Sequence, residues 1–321
     1  MSALGRRRGT VRTGTVVRVI EVNHLTKRYG STTAVDELTF TVRPGCVTGF
    51  LGPNGAGKST TLRMIIGLND PTGGSVSVQG RPFRQRPRGL RHVGALLDAG
   101  DVHGGRSAAA HLGMLARTNA IPLRRVGEVL AEVGLTDAAR RRIGGFSLGM
   151  KQRLGIAAAL LGDPPVLLFD EPLNGLDPEG VRWVRDLFRR LAAEGRTVFV
   201  SSHLMSEMEH TADRLVVIGR GRLIADEPLA AFAARGQGSG VRVRTPDASA
   251  LAGTLQAGGA DVTRDGAGVL LVTGMDSERV GDLAFEHGLR LHELVVTTAS
   301  LERAFMELTA DSVEYATGET R

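Results

Sequence analysis

A nine-residue stretch, Gly52-Pro53-Asn54-Gly55-Ala56-Gly57-Lys58-Ser59-Thr60, decides the fold of this chain. It fits the pattern G-x-x-x-x-G-K-[ST], in which glycines let several backbone N–H groups converge on phosphate. The apolar run Val47–Leu51 before it predicts a short buried strand, and Thr60–Ile66 after it predicts the opening of a helix. In that setting the helix N-terminus attracts anions, Lys58 reaches the terminal phosphates and the Ser59 hydroxyl can ligate Mg²⁺. The stretch therefore predicts a site for a nucleoside triphosphate and Mg²⁺, with binding residues Gly52, Asn54, Gly55, Gly57, Lys58, Ser59 and Thr60.

Composition limits the class of protein. The chain has 321 residues and a net charge of +6, but its basic residues are spread along the chain and do not interleave with aromatics, so we expect no nucleic-acid partner. Cys46 is the only cysteine, which rules out a disulfide within the chain and favours the cytosol. No apolar run approaches the ~18 residues of a membrane span, and Met1–Ile20 lacks the apolar centre of a secretory signal.

The order of predicted elements divides the chain into three parts. Residues 1–17 predict a basic, disordered arm, residues 18–236 an α/β domain, and residues 237–321 a small appendage. In the α/β domain, apolar strand patterns alternate with helical stretches around the phosphate-binding loop, which favours a mainly parallel sheet. The predicted strands are Val19–Val22, Leu38–Val42, Val47–Leu51, Val166–Phe169, Thr197–Ser201 and Leu215–Ile218, and the predicted helices include Ala109–Arg117 and Arg125–Val133.

The last 85 residues predict a small α+β unit. Gln237–Gly240 resembles a flexible linker in composition. Val241–Arg244 and Val269–Val272 then predict strands. A helix is predicted near the end of the chain, where apolar residues recur at helical spacing at Leu301, Ala304, Phe305 and Leu308.

A second chemical motif follows the apolar run Val166–Phe169, which ends in the carboxylates Asp170 and Glu171. A buried parallel strand delivers such residues to the edge of the sheet where open α/β domains bind ligands. We expect Asp170 to hold Mg²⁺ and Glu171 to orient or deprotonate an attacking water.

Further motifs resemble those of ABC ATPases. Phe146–Leu154 is similar to the signature motif of that family, Asn174–Asp177 to its D-loop and Ser201–His203 to its switch-histidine segment. Tyr29 stands where these proteins stack an aromatic ring on adenine. The resemblance spans roughly residues 19–235, with six motifs in the expected order. The segment Ser300–Phe305 is also similar to the appendage of subunits in the drug-resistance and antibiotic-export group.

The resemblance implies a P-loop NTPase core of the RecA-like ABC type, with a helical subdomain and an antiparallel β portion. It also implies that two such domains sandwich two ATP molecules. Ser147 and Gly149 would then contact the γ-phosphate held by the other subunit's phosphate-binding loop, and Asp177 would cross the interface. His203 would hold the γ-phosphate beside Glu171.

The chain departs from the family pattern in two motifs. Leu148 and Met150 replace the second and fourth residues of the usual Ser-Gly-Gly-Gln signature, while the two residues expected to touch phosphate remain. The Q-loop glutamine aligns with Asp98, whose carboxylate can still ligate Mg²⁺ but adds negative charge near the γ-phosphate. An ordinary role for Asp98 as a loop acid stays open.

The leading hypothesis is the ATP-hydrolysing subunit of a membrane exporter for a hydrophobic drug, antibiotic or lipid-like compound. It would act at the cytoplasmic face of the membrane as a homodimer or heterodimer, with separately encoded permease subunits. The alternatives are a soluble ABC-type ATPase that acts on ribosomes or DNA, and a non-catalytic protein that sequesters a drug by binding it and only senses nucleotide. The transported substrate cannot be inferred from this sequence.

Overall fold

The computed structural model describes residues 19–235 and 240–297, together with Glu302, Phe305, Met306 and Leu308. Within residues 19–235 the strands are β1 (Ile20–Tyr29), β2 (Thr32–Val42), β3 (Cys46–Leu51), β4 (Gly73–Val78), β5 (Val93–Leu96), β6 (Val166–Asp170), β7 (Thr197–Ser202), β8 (Arg214–Gly219) and β9 (Arg222–Pro228). The α-helices of this segment are α1 (Lys58–Ile65), α2 (Ala108–Thr118), α3 (Arg124–Glu132), α4 (Leu148–Leu160), α5 (Pro178–Ala193), α6 (Met205–Glu209) and α7 (Leu229–Arg235).

The central sheet has the order β5-β6-β7-β3-β8-β9. The first five strands are parallel, and β9 pairs with β8 in the antiparallel sense. Every residue of β6 and β7 is buried, because helices or a second sheet cover both faces of a parallel sheet. This arrangement confirms the predicted α/β fold.

Aromatic side chains pack between the central sheet and the layers that cover its two faces. A smaller antiparallel sheet, β2-β1-β4, packs on one face. There the ring of Phe199 lies 5.7 Å from that of Phe40 and 5.1 Å from that of Phe50, measured between centroids. On the other face Phe169 meets Phe188 of α5 at 4.6 Å. Burial of each such ring stabilises the fold by about 2–3 kcal/mol.

The strand order explains how distant segments of the chain meet. The phosphate-binding loop follows β3, Glu171 follows β6 and His203 follows β7. Since β6, β7 and β3 are consecutive parallel strands, their carboxyl ends lie side by side at one edge of the sheet.

Helices α2 to α4 form the predicted helical region, and the observed bounds of α2 and α3 lie within one residue of the predicted ones. Serine side chains fix the start of two of these helices. Ser107 accepts a hydrogen bond from the backbone N–H of Ala110, and Ser147 accepts one from that of Met150, each at 3.2 Å. Within the described residues no helix is both long and apolar enough to cross a bilayer.

The C-terminal unit contains more structure than the sequence predicted. Its elements are β10 (Gly240–Arg244), α8 (Ala248–Ala257), β11 (Asp261–Arg264), β12 (Val269–Thr273), α9 (Ser277–Glu286) and β13 (Glu293–Thr297). They form an antiparallel sheet of order β11-β12-β10-β13 in the β-α-β-β-α-β arrangement. Its apolar cluster is separate from the clusters of the central sheet.

Three sequence expectations concern the linker and the two ends of the chain. Gly240 is part of β10 and not of a linker, because it pairs with Thr297 of β13. The rest of the predicted linker, 237–239, lies outside the described residues, as do the basic arm 1–17 and Leu301 and Ala304 of the last helix. Phe305 and Leu308 are helical, but they pack against the cluster of the central sheet and its helices. Helical spacing shows which residues share a face, not which core covers that face.

Candidate active site

The phosphate-binding loop opens onto a cleft of about 270 Å³, lined by Ala34, residues 54–60 and Glu171. An adjoining space is lined by Thr32, Thr33 and Arg220 and shares Ala34 and residues 54–56. The loop conformation requires glycine at two positions. Gly57 has a φ of +101°, and a Cβ at Gly52 would come within 2.5 Å of the carbonyl oxygen of Ile218. The volume of this cleft alone approaches the lower end of the ~300–1,000 Å³ range of small-ligand sites.

Lys58 is the first residue of α1 and only 7% exposed. Its Nζ donates hydrogen bonds to the carbonyl oxygens of Gly52 at 2.6 Å and of Pro53 at 3.3 Å, and lies 3.7 Å from Oε1 of Glu171. Burial lowers the pKa of Lys58 below its usual value of 10.5, whereas the charges of Glu171 and Asp170 oppose that shift. The curled loop thus holds a desolvated cation at the cleft, where an anion would replace its interactions with carbonyls.

The acidic end of β6 meets β7 directly. Asp170 and Ser201 are register partners, and the Ser201 hydroxyl donates a hydrogen bond to Oδ1 of Asp170. The same hydroxyl accepts the backbone N–H of Glu171 at 3.0 Å. The other Glu171 oxygen, Oε2, is 2.9 Å from Nδ1 of His203. Lys58, Glu171 and His203 therefore form a continuous polar chain across the cleft.

The backbone of Glu171 is strained, with a φ of +47° that non-glycine residues adopt at a cost of about 1–2 kcal/mol. Two side chains hold it. Ser201 accepts its N–H, as described above, and the Nε2 of Gln152 on α4 donates to its carbonyl oxygen at 3.3 Å. Strain that the surroundings maintain is typical of functional sites.

A further carboxylate lies behind the His203 segment. Glu207 of α6 accepts a hydrogen bond from the Ser202 hydroxyl at 2.5 Å. Burial raises the pKa of Glu207 above its usual 4.5, the Ser202 hydrogen bond opposes this, and the nearby charge of Glu171 raises it further. The negative charge of Glu171 is thus not isolated but shares its surroundings with a second acid.

Asp98, Asp177, Ser147 and Gly149 are among the predicted residues that do not line the cleft. The Asp98 carboxylate is exposed and accepts the backbone N–H of Gly100 at 2.7 Å. Asp177 caps α5 through the N–H of Gly180 at 2.9 Å. Ser147 caps α4, and Gly149 lies in its first turn against the carbonyl oxygen of Gly175.

Tyr29 also lies outside the lining residues, at the end of β1. Its ring is half exposed, and the Nζ of Lys27 is 5.0 Å from the ring centroid. Its hydroxyl accepts a hydrogen bond from Nδ2 of Asn69 at 2.9 Å. These two contacts hold the ring at the end of β1, in the sheet β2-β1-β4.

The donor set at this edge suits Mg²⁺ bound together with phosphates. Within the described residues no group of three or more His, Cys, Asp or Glu side chains could hold a metal alone. Mg²⁺ usually takes one or two protein oxygens plus phosphates and waters. The Ser59 hydroxyl, exposed in the cleft, and the buried Asp170 carboxylate offer such oxygens.

Sequence reasoning missed the roles of Ser201 and Gln152. Ser201 faces Asp170 only because β6 and β7 are neighbours, which the order of strands along the chain does not reveal. The signal for Gln152 was weak: it is a buried polar residue on a helix whose other buried residues are apolar.

Comparisons with known proteins agree with this geometry. Residues 35–174 match the ABC transporter family, and residues 239–302 match a domain of unknown function. The chain is 36% identical to the uncharacterized ABC transporter ATP-binding protein YhcH of Bacillus subtilis, over 92% of this chain and 97% of that protein. It is 42% identical to the bacitracin transport ATP-binding protein BcrA of Bacillus licheniformis, over 65% of this chain and 70% of that protein.

Solved structures show the same fold. An ATP-binding subunit of an ABC transporter superposes with a TM-score of 0.62 at 29% identity, covering 67% of this chain and 91% of that one. A dimeric bacterial ABC transporter cassette gives a TM-score of 0.61 at 24% identity, covering 65% and 98%. The chain therefore belongs to the ATP-binding subunits of ABC transporters, which bind ATP and couple its hydrolysis to transport.

Proposed function

We propose that the chain drives an exporter of a hydrophobic drug, antibiotic or lipid-like compound. The observation that carries the ATPase part is the polar chain Lys58–Glu171–His203 across a cleft formed by the phosphate-binding loop. Support for export comes from relatives that are named for bacitracin transport, lantibiotic transport and Nod factor export. The chain would act at the cytoplasmic face of the membrane with separately encoded permease subunits.

Each side chain of the cleft has a role in this proposal. Lys58 exchanges its carbonyl partners for the β- and γ-phosphates, as the Walker lysine does in P-loop NTPases. Glu171 orients and deprotonates the attacking water, and His203 holds the γ-phosphate on the far side. Mg²⁺, when bound through Ser59 and Asp170, neutralises the charge that develops on the phosphate oxygens. Asp98 would complete the metal surroundings.

We propose that adenine stacks on Tyr29 and that two chains share each ATP. Ser147 and Gly149 lie at the N-terminus of α4 and outside the lining of their own cleft. The positive end of the α4 dipole and the backbone N–H groups of its first turn would therefore bind phosphate that is held by a second chain. Asp177 would reach across the same interface. Either two copies of this chain or a copy and a similar subunit satisfy this geometry.

Domain boundaries at 18–236 for the ATP-binding domain and 237–321 for the appendage also remain our proposal. The separate apolar cluster of β10 to α9 supports this division. Phe305 supports an intimate contact of the end of the chain with the ATP-binding domain.

Ser201→Ala tests how far the serine positions Glu171. We expect hydrolysis to fall about tenfold, because Glu171 loses the partner of its strained N–H and its carboxylate drifts from the water. Phosphate release at saturating ATP measures the effect. Thr197→Val is the matched control, since Thr197 is equally buried in β7 but its hydroxyl has no protein partner within the described residues. Equal rates in both variants would argue against the positioning role.

The transport role is tested by purifying the tagged chain from membranes of its native host in mild detergent. We expect a polytopic membrane protein to co-purify, and deletion of its gene to sensitise cells to the exported compound. Lys58→Ala should still capture that protein, because Lys58 lies in the cleft and not on an outer surface. Capture of ribosomal or DNA-associated proteins in its place would favour the alternative ATPase function and contradict export.

A further inference from the structure

The side-chain amide of Gln152 connects α4 to the segment that carries the candidate general base. Gln152 is only 6% exposed. Its Nε2 donates to the carbonyl oxygen of Glu171 at 3.3 Å and to that of Asn174 at 3.2 Å. Its Oε1 is buried and has no protein partner within the described residues, so only the donor side of the amide is used.

The first turn of α4 touches the same segment at a second place. The Leu148 side chain lies directly over Gly175, where any Cβ would collide with it. Gly175 has a φ of +74°, so both conformation and space require glycine. A Cβ on Gly149 would lie 3.3 Å from the carbonyl oxygen of Gly175. Residues 148–152 are therefore fixed to residues 171–175 at both ends of the contact.

This contact reaches the strained peptide of Glu171. Gln152 holds its carbonyl group and Ser201 holds its N–H. A movement of α4 along or around its axis must therefore reorient the Glu171 peptide, because packed interiors transmit displacement with little compression.

This inference rests on the proposed dimer. In that dimer the two segments that are in contact, residues 147–152 and residues 171–175, serve different ATP molecules. Ser147 and Gly149 would bind the nucleotide on the partner's loop, whereas Glu171 acts on the nucleotide of its own loop. We propose that Gln152 is a positioning residue that couples the two ATP sites, transmitting engagement of the partner's γ-phosphate by α4 to the catalytic Glu171 of the same chain.

The test is Gln152→Met in the full chain. Methionine keeps the length of the side chain and removes both donated hydrogen bonds. We expect the maximal hydrolysis rate to fall about tenfold and the Hill coefficient for ATP to fall from above 1 to about 1. The affinity of the monomer for ATP should stay unchanged, because Gln152 does not line the cleft. Wild-type rate and cooperativity in the variant would overturn the proposal, and so would a non-cooperative wild type.

Arg153→Met is the matched control on the same helix. Arg153 donates to the carbonyl oxygen of Val133 at 3.0 Å and stacks on Trp183 at 4.6 Å, without a hydrogen bond to residues 171–175. It should lower the melting temperature and keep the cooperativity. Loss of cooperativity in Arg153→Met would mean that Gln152 has no special role.

Leu148→Ala provides a second variant, since this side chain is 53% exposed and its truncation does not open a cavity in the core. It should also reduce the Hill coefficient, and an unchanged value would contradict the coupling. The proposed dimer, in which two chains share each ATP, is tested separately by ATP-dependent dimerisation of Glu171→Gln. If that dimer fails to form, the shared-site geometry is wrong. If it forms and Gln152→Met remains cooperative, only the coupling role is wrong.

Discussion

Replacement of Lys58 by alanine is expected to abolish ATP hydrolysis, with a loss of at least about 10³-fold, or about 4 kcal/mol of transition-state stabilisation. Lys58 is the buried cation at the start of α1, and its Nζ faces the cleft. Without Lys58, the negative charges of Glu171 and Asp170 would repel the phosphates with no lysine charge to offset the repulsion. Because the same charge also binds the ground state, ATP affinity should fall as well.

The measurement is phosphate release together with nucleotide binding on the purified chain. Arg63→Ala is the matched control, because it removes one positive charge from the exposed side of the same helix. That variant should hydrolyse ATP like the wild type. Thermal unfolding shows whether Lys58→Ala is folded, which we expect since the removed Nζ contacts two loop carbonyls and the Glu171 carboxylate at the cleft and no residue of the apolar core. Turnover above a tenth of the wild-type rate in a folded Lys58→Ala protein would contradict the assigned role.

The part of the fold that the sequence predicted best is the part with the strongest local pattern. The strands β6 and β8 each contain four consecutive apolar residues, β7 contains three, and β3 is mostly apolar. Such short runs bounded by turns or charged residues are typical of buried strands. The conformation of the loop that follows β3 could be predicted without tertiary information, since its glycines and its lysine form a recognisable phosphate-binding motif.

The elements that were missed lack such a pattern. Helix α8 is rich in alanine and buries only Leu251 and Leu255, so its sequence shows little periodicity. Strand β9 lies at the sheet edge and carries arginine, aspartate and glutamate, which conceal its strand character. Strand β5 has only four residues, which is too short for a clear strand pattern.

Some residues of the candidate site could likewise be predicted from the local sequence, and others could not. Lys58, Asp170 and Glu171 could be predicted because each follows a recognisable strand or loop. Which side chains hold the strained Glu171 peptide depends on sheet order and helix packing, and these are properties of the folded chain. Local sequence therefore indicates the proposed reacting groups, whereas the side chains proposed to position them are found only in the tertiary structure.

Glu171→Gln is expected to bind ATP, stop hydrolysis and accumulate an ATP-bound dimer. Glutamine has the shape of glutamate, so it can keep its place between Lys58 at 3.7 Å and His203 at 2.9 Å. It cannot accept a proton from water, and loss of a general base costs about 10²–10⁴-fold. Removing the negative charge also relieves repulsion of the γ-phosphate, so the ATP-bound state should persist.

Size-exclusion chromatography with ATP and with ADP measures the trapped dimer. We expect a dimer with ATP only, and a return to monomer when ATP is removed. Glu209→Gln is the control, since it makes the same chemical change at an exposed position of α6 and should hydrolyse ATP normally. Wild-type turnover in Glu171→Gln would assign proton abstraction to another group. His203 would then be the next candidate, because among the described residues it is a titratable side chain in contact with Glu171 and, unlike Lys58, has no hydrogen bond to the phosphate-binding loop in this structure.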